Sequence, residues 1–139
     1  MAIALVGVIN TDIFAAFLRV FVGTALVMHG LPKVKGAWKQ SGQWIQSMGV
    51  PAAAAVPVAI LEFFGGIFLI IGLIVPIVAG FFAIQFLAII VMKKSKMKAA
   101  LIGSQQKPSY EIDFTYLLLA LVLVVVGAGV LSVDSVIGF

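Results

Sequence analysis

An all-α integral membrane bundle of four antiparallel transmembrane helices is the fold class this sequence predicts, and three observations predict it. Of the 139 residues, 63% are hydrophobic and 10% charged, whereas a soluble domain is about a quarter charged. The apolar residues gather into four stretches, 12–30, 52–72, 75–92 and 113–131, each close to the roughly 20 helical residues that cross a hydrocarbon core. These stretches are continuously apolar, which argues against the alternating segments of about ten residues that build a membrane barrel.

The first stretch follows MAIALVGVIN, which has no basic n-region and therefore reads as part of the mature chain, not as a cleavable signal. It carries Arg19 and ends in HGLPK, with His29 and Lys33. The loop LPKVKGAWKQSGQWIQSMGVP is bounded by Pro32 and Pro51. Within it Trp38, Ile45 and Met48 recur at helical spacing and Trp44 adds a second amphipathic ring, so a short helix in the headgroup layer is expected, serving as an interfacial anchor. The second stretch contains LEFFGGIFLIIG, an apolar run with one carboxylate, Glu62. A very short turn at Leu73–Val75 leads into the third, which carries Gln85 near its middle. Lys93 to Ile112 is polar, lysine-rich and punctuated by glycine, a loop expected to be flexible or held by a partner. The fourth stretch opens on YEIDFTY, where Glu111 and Asp113 sit at positions that favour acids at a helix N-terminus, Asp113 being a candidate N-cap.

The net charge of +4 comes from lysines in two places. Lys33, Lys35 and Lys39 follow the first stretch; Lys93, Lys94, Lys96, Lys98 and Lys107 follow the third, so four spans put both groups on one side. The positive-inside rule then sets the lysine loops in the cytoplasm and both termini outside. KKSKMK could also suit nucleic acid, but a juxtamembrane basic cluster more often rests against anionic lipid. The partners expected are the bilayer and other membrane subunits, with no nucleic acid.

Cysteine is absent, which removes thiol nucleophiles, persulfide carriage, iron–sulfur clusters and thiolate metal sites. A single histidine cannot form a bis-histidine haem or two-histidine zinc site. No metal and no built-in cofactor are expected; a quinone is one ligand the chain could take up. The ionisable residues inside the spans are then the natural site candidates. Counting from Asp12 and from the ends of 52–72, Arg19 and Glu62 fall within about one helical turn of the same depth. Arg19 shares its helix face with Ala15, Gly23 and Gly30, and Glu62 shares its face with Ala55, Ala59 and Gly66, so both face inward where small residues let helices approach. The two are expected to face each other. With Gln85 and Tyr116 they would form an intramembrane polar pocket for a quinone head, an anion or a proton path; the structural alternative is a pair that pins helix register. A second, cytoplasmic-side cluster gathers His29, Lys33, Glu111 and Asp113, where a histidine beside carboxylates can exchange protons near neutral pH. No catalytic residue is assigned.

Arg19, Gly23 and H-G-x-x-K at His29–Lys33, then E-x-x-G-G at Glu62–Gly66 with Gly72-Leu73, then G-x-G-x-x-S-x-D from Gly127 to Asp134, together resemble the DoxX family. The chain departs from that pattern at IVPIV, where relatives often carry a basic residue, and after the third span, where lysines stand in place of a histidine. The resemblance implies one transmembrane domain over residues 1–139, of the kind named after the small subunit of an archaeal thiosulfate:quinone oxidoreductase, with Arg19, His29, Lys33, Glu62 and Asp134 as positions of interest. Two functions follow as expectations. One is a subunit of a redox-linked membrane complex, not an enzyme alone, whose pocket takes a quinone or small sulfur oxyanion with Arg19 as cationic anchor. The other is a non-catalytic structural or assembly subunit. An open cleft beside Glu62 favours the first, and a dry, fully packed core the second.

Overall fold

A computed structural model describes residues 2–139, with side chains from Thr11 onward. Among the described residues every regular element is helical, and the only β contacts are isolated bridges at Ala100 with Ser109 and Ser104 with Lys107. Helix α1 runs Ala2–Pro32. Its glycines and β-branched residues do not break it, because a backbone among lipid tails has no water to bond with and keeps its internal ladder. A kink, Lys33–Ala37, follows; Gly36 within it has the non-helical φ of 131°, and the chain swings into α2, Trp38–Ser47.

The second rod is one helix in three pieces: a 3₁₀ turn at Ala52–Ala54 leads into α3, Ala55–Ile60, a π-helical turn occupies Leu61–Gly65, and α4 covers Gly66–Ile71. Gly72, at φ 75° and ψ 46°, ends it in the left-handed conformation that glycine adopts most readily. Helix α5, Val75–Lys96, begins with proline in its first turn and ends with Lys93, Lys94 and Lys96, which complement the negative end of its dipole. Helix α6, Glu111–Val126, has its acids in the first turn. Three of these helices are long and apolar enough to cross a membrane: the one begun by α1, the Ala52–Ile71 rod and α5. Helix α6 has 16 residues, about 24 Å at about 1.5 Å per residue. It stops short of the expected 113–131 because Gly127, at φ 74°, turns the chain aside. Ser132 then caps a short α7, Val133–Ile137, by accepting a hydrogen bond from Ser135 N at 3.2 Å.

The four rods run antiparallel. A Cβ on Gly23 would lie 2.6 Å from Gly66 O, and one on Gly30 would lie 2.5 Å from Phe63 N, so α1 meets the second rod at backbone contact. Helices α5 and α6 form the other extensive pairing. Lys93 bonds Asp113 at one end of it, and Phe86 stacks on Tyr116 one to two turns inward. Phe82, Val75, Leu69, Leu123, Val22 and Leu26 fill the centre, while Phe17, Ile84 and Val125 face outward, as lipid contact requires.

Two segments differ from expectation. The lysine-rich loop after α5 is tied by its own backbone, with Ala100 N on Pro108 O and Tyr110 N on Ala100 O, both at 3.2 Å. Such bonds are sequence-neutral, which is why its polar composition suggests mobility. Residues Gly127–Phe139 fold back over the end opposite the lysines, where Val130 N donates to Asp12 Oδ1 at 3.1 Å.

Candidate functional site

Glu62 sits in the π-helical turn of the second rod and is 4% exposed. Such turns insert an extra residue into the helical ladder and recur at functional sites, because they re-aim a side chain without ending the helix. The Glu62 carboxylate accepts from Lys33 Nζ at 2.5 Å and from Gln85 Nε2 at 2.9 Å. Three rods thus converge on one carboxylate. Lys33 opens the kink between α1 and α2, so both members of the ion pair stand where the helix is distorted. Since a carboxylate only accepts, Gln85 must turn its amide N–H towards Glu62. That leaves Gln85 Oε1 buried without a hydrogen-bond partner, alone in this among the described buried side-chain atoms.

Two spaces adjoin the pair. A cleft of about 680 Å³ lies between α2, α3 and α5; Lys33, Glu62 and Gln85 line one end, Gln40 and Ser41 line it from α2, and its apolar walls include Trp44, Pro57, Val58, Phe81, Ile84 and Met92. Phe81 and Ile84 are more than half exposed on the lipid-facing surface, so the cleft opens between helices towards the hydrocarbon. A second space, of about 320 Å³, lies on the lysine side, lined by His29, Lys93, Asp113 and Tyr116. Lys33, Glu62 and Trp44 border both.

Arg19 does not meet Glu62. Its guanidinium donates to the carbonyls of Ala128 at 3.1 Å, Ile70 at 2.7 Å and Leu69 at 3.4 Å, and to that of Leu131. Leu69 and Ile70 belong to the last turn of α4, where carbonyls lack the next helical turn's N–H groups, although that of Leu69 also accepts from Gly72 N at 3.2 Å. A cation there satisfies them and opposes the helix dipole. The expected pairing fails on register. Gly30 lies level with Glu62 and Phe63, and Arg19 lies against Gly72; Glu62 and Gly72 are ten residues apart, about 15 Å along the rod at about 1.5 Å per residue. Counting from Asp12 misleads because the turn after α4 lies deeper than Asp12, roofed by Gly127–Phe139. Asp134 holds that roof down. It is 5% exposed, its Oδ1 accepts from Ile74 N at 2.6 Å and its Oδ2 from Val75 N at 2.9 Å, while its own N–H donates to Gly72 O at 2.9 Å. It caps α5 from a distance and supplies the negative charge nearest to Arg19 in effect.

The remaining candidates regroup. Gln85 stands with Glu62, whereas Tyr116 lies in the lysine-side space, stacked on Phe86 with ring centroids 5.2 Å apart and edge-on to His29 at 6.4 Å. Asp113 is not an N-cap, since Tyr110 holds that position; its carboxylate accepts from Lys93 Nζ at 2.5 Å. Glu111 is exposed and does not line the space shared by His29, Lys33 and Asp113. Lys33 moves from the surface cluster to the centre of the site. Trp44 was legible only as an anchor: α2 folds back with Gly42 against Ala52, 3.0 Å from its carbonyl oxygen for an added Cβ, and this carries the indole into the wall of both spaces. Its signal in the sequence is the glycine two residues before it.

Comparison with known proteins bears on the same residues. No solved structure matches the chain. A Bacillus subtilis (strain 168) protein described as "Putative oxidoreductase CatD" is 31% identical over 123 residues, covering 88% of this chain and 86% of its own length. The DoxX family model matches residues 14–94, a range that holds Arg19, Lys33, Glu62 and Gln85. With the match spanning more than half the chain and including both positions of the ion pair, this membrane protein belongs to the DoxX family.

Proposed function

We propose that the chain is an integral membrane subunit of a redox-linked membrane complex and that its cleft receives the head of a quinone from the lipid. The observation that carries this reading is the cleft itself: an apolar space of about 680 Å³ that ends on Lys33, Glu62 and Gln85. The residues fit such a head. Its ring oxygens accept hydrogen bonds, and the Lys33 ammonium has three N–H donors of which Glu62 engages one. Its flat ring suits Trp44 and the aliphatic walls, and a hydroxyl or water in the cleft is the kind of donor Gln85 Oε1 lacks. A bound quinone supplies two-electron, two-proton chemistry at its ring oxygens. The chain's own part is to bind and orient that head, to exclude water with the apolar walls, and to hold a proton at Glu62.

A small sulfur oxyanion is the poorer fit, because a multiply charged, strongly hydrated ion gains little from apolar walls and Arg19 is already engaged by four carbonyls. The described relative supports a redox setting by its name. The lysine-bearing end lies in the cytoplasm and both termini outside, on the positive-inside rule. The reading as a structural or assembly subunit draws on a different surface, a shallow groove on α1 between Phe17, Phe21, Thr24 and Met28 where a further membrane helix would fit.

The test is binding in lipid nanodiscs. In a Trp38→Phe background, Trp44 reports on the cleft, and a short-tailed quinone should quench it saturably. Glu62→Gln should weaken that quenching about tenfold, the equivalent of about 1.4 kcal/mol. Quenching that rises linearly with quinone and ignores Glu62→Gln would leave the assembly role in possession.

A further inference from the structure

The Lys33–Glu62 pair is the partition between two spaces that meet different phases. On one side is the lipid-facing cleft, with Phe81 and Ile84 at its mouth. On the other is the lysine-side space, with Ile112, 67% exposed, at its rim. Apart from the apolar Ile89, the side chains common to both linings are Lys33, Glu62 and Trp44. We infer that Glu62 is a two-sided proton carrier: it exchanges protons with water through the lysine-side space and with an oxygen base held in the membrane-side cleft.

The groups that face this route are distributed over three helices. From α1 come His29 and Lys33, from α5 Lys93, and from α6 Asp113 and Tyr116. Lys93 is held by Asp113 and Lys33 by Glu62, each at 2.5 Å, so His29 is the nitrogen base of this space that no ion pair among the described residues engages. The step is a proton transfer alone. An O–H bond forms on Glu62 with a proton delivered from water in the lysine-side space, and it breaks when that proton passes to the oxygen in the cleft; no electron is taken or given by this chain. Protonation neutralises Glu62 and releases Lys33, whose side chain is 26% exposed and can turn to the aqueous side. The ion pair is thus closed when Glu62 is ionised and open when it is neutral. A carboxylate serving only to pin helix register has no need of two entrances.

This inference rests on the cleft being a ligand site, and its test separates the two. Carbodiimides activate protonated carboxyls, and Lys33 lies close enough to trap the product as an isopeptide bond. A lipid-soluble carbodiimide and a water-soluble cationic one are applied separately to the protein in nanodiscs, and modification of Glu62 is read by mass spectrometry. Both should reach it. Because the chain has no cysteine, single variants Ile112→Cys and Ile84→Cys can be blocked after folding with a bulky maleimide, which avoids any demand on folding. The block at Ile112→Cys should slow the water-soluble reagent about tenfold and spare the lipid-soluble one, and the block at Ile84→Cys should do the reverse, a loss of access read as a rate. Modification by the lipid-soluble reagent alone, or equal slowing of both reagents by either block, overturns two-sided access. Quinone quenching of Trp44 unaffected by the block at Ile84→Cys would instead overturn the cleft as ligand site, whatever the carbodiimides do.

Discussion

At the residue scale, a buried carboxylate survives only with compensation, since a single charge in the hydrocarbon costs on the order of 2.5–3.5 kcal/mol or more. Glu62 obtains it from Lys33 and Gln85, and Arg19 from four carbonyls and Asp134. Double-mutant cycles distinguish these networks. Lys33→Gln and Glu62→Gln should each lower thermal stability in detergent, with a coupling of about 0.5–3 kcal/mol between them because they touch. Arg19→Gln and Glu62→Gln should add within about 0.5 kcal/mol, since contact is absent. Coupling of the second pair and additivity of the first would reverse the assignment of partners. Arg19→Lys should also destabilise, because an ammonium presents fewer donors and lacks the fork that reaches carbonyls on two segments.

That Arg19, Glu62 and Gln85 lie inside the bundle was legible in the sequence, because polar groups stand out against an apolar background, while Asp134 was marked by the DoxX resemblance. Which of them meet was not legible. Helical periodicity reports the face of each residue correctly, and the glycines at 23, 30 and 66 do bring α1 onto the second rod. Axial register, however, depends on where each helix begins relative to its neighbour. Residues 72–74 are roofed by a segment more than fifty positions later, and nothing local announces it.

At the scale of elements, the α1 contact with the second rod depends on the absence of side chains. Gly23→Leu and Gly66→Leu should each separate these helices and lower the melting temperature more than the same change at exposed Gly36, where an added Cβ meets nothing, although its φ of 131° carries a separate backbone cost. Equal effects at all three sites would show that α1 and the rod are not held by close approach. Helix α2 is the more mobile candidate, being short and attached by one face. Gly42→Val places bulk against Ala52 and should lift α2, shifting Trp44 emission to the red in the Trp38→Phe background. The amphipathic pattern of α2 was plain from its residues, while its docking onto α3 was not, because an interfacial helix and a helix that closes a cleft carry the same pattern.

For the whole molecule, the two lysine-bearing ends share one end of the bundle, since Lys33 and Lys93 line the same space. Cysteines at Lys39 and Lys96 should therefore react with an impermeant reagent from the same side, the cytoplasmic one. Labelling from opposite faces would require a different number of crossings. Composition made the membrane class and the all-helical fold evident, because apolar runs of this length admit few alternatives. The shortened α6 escaped notice because the sequence stays apolar through Val126 and beyond, and only the glycine at 127 marks the turn.

The roof over the turn after α4 also has a consequence for biosynthesis. Arg19 is made more than a hundred residues before Ala128 and Leu131, which receive its guanidinium, and the N-terminus of α5 likewise waits for Asp134. Until Gly127–Asp134 emerges the nascent chain therefore holds a cation met only by the Leu69 and Ile70 carbonyls, and an open helix end, inside or beside the bilayer, and both are completed together by that segment. The chain order therefore predicts a late closure as the final assembly step. It gives membrane quality control a clear mark of incompleteness, and ribosomes stalled anywhere before that segment should release chains that are cleared as fast as misfolded ones.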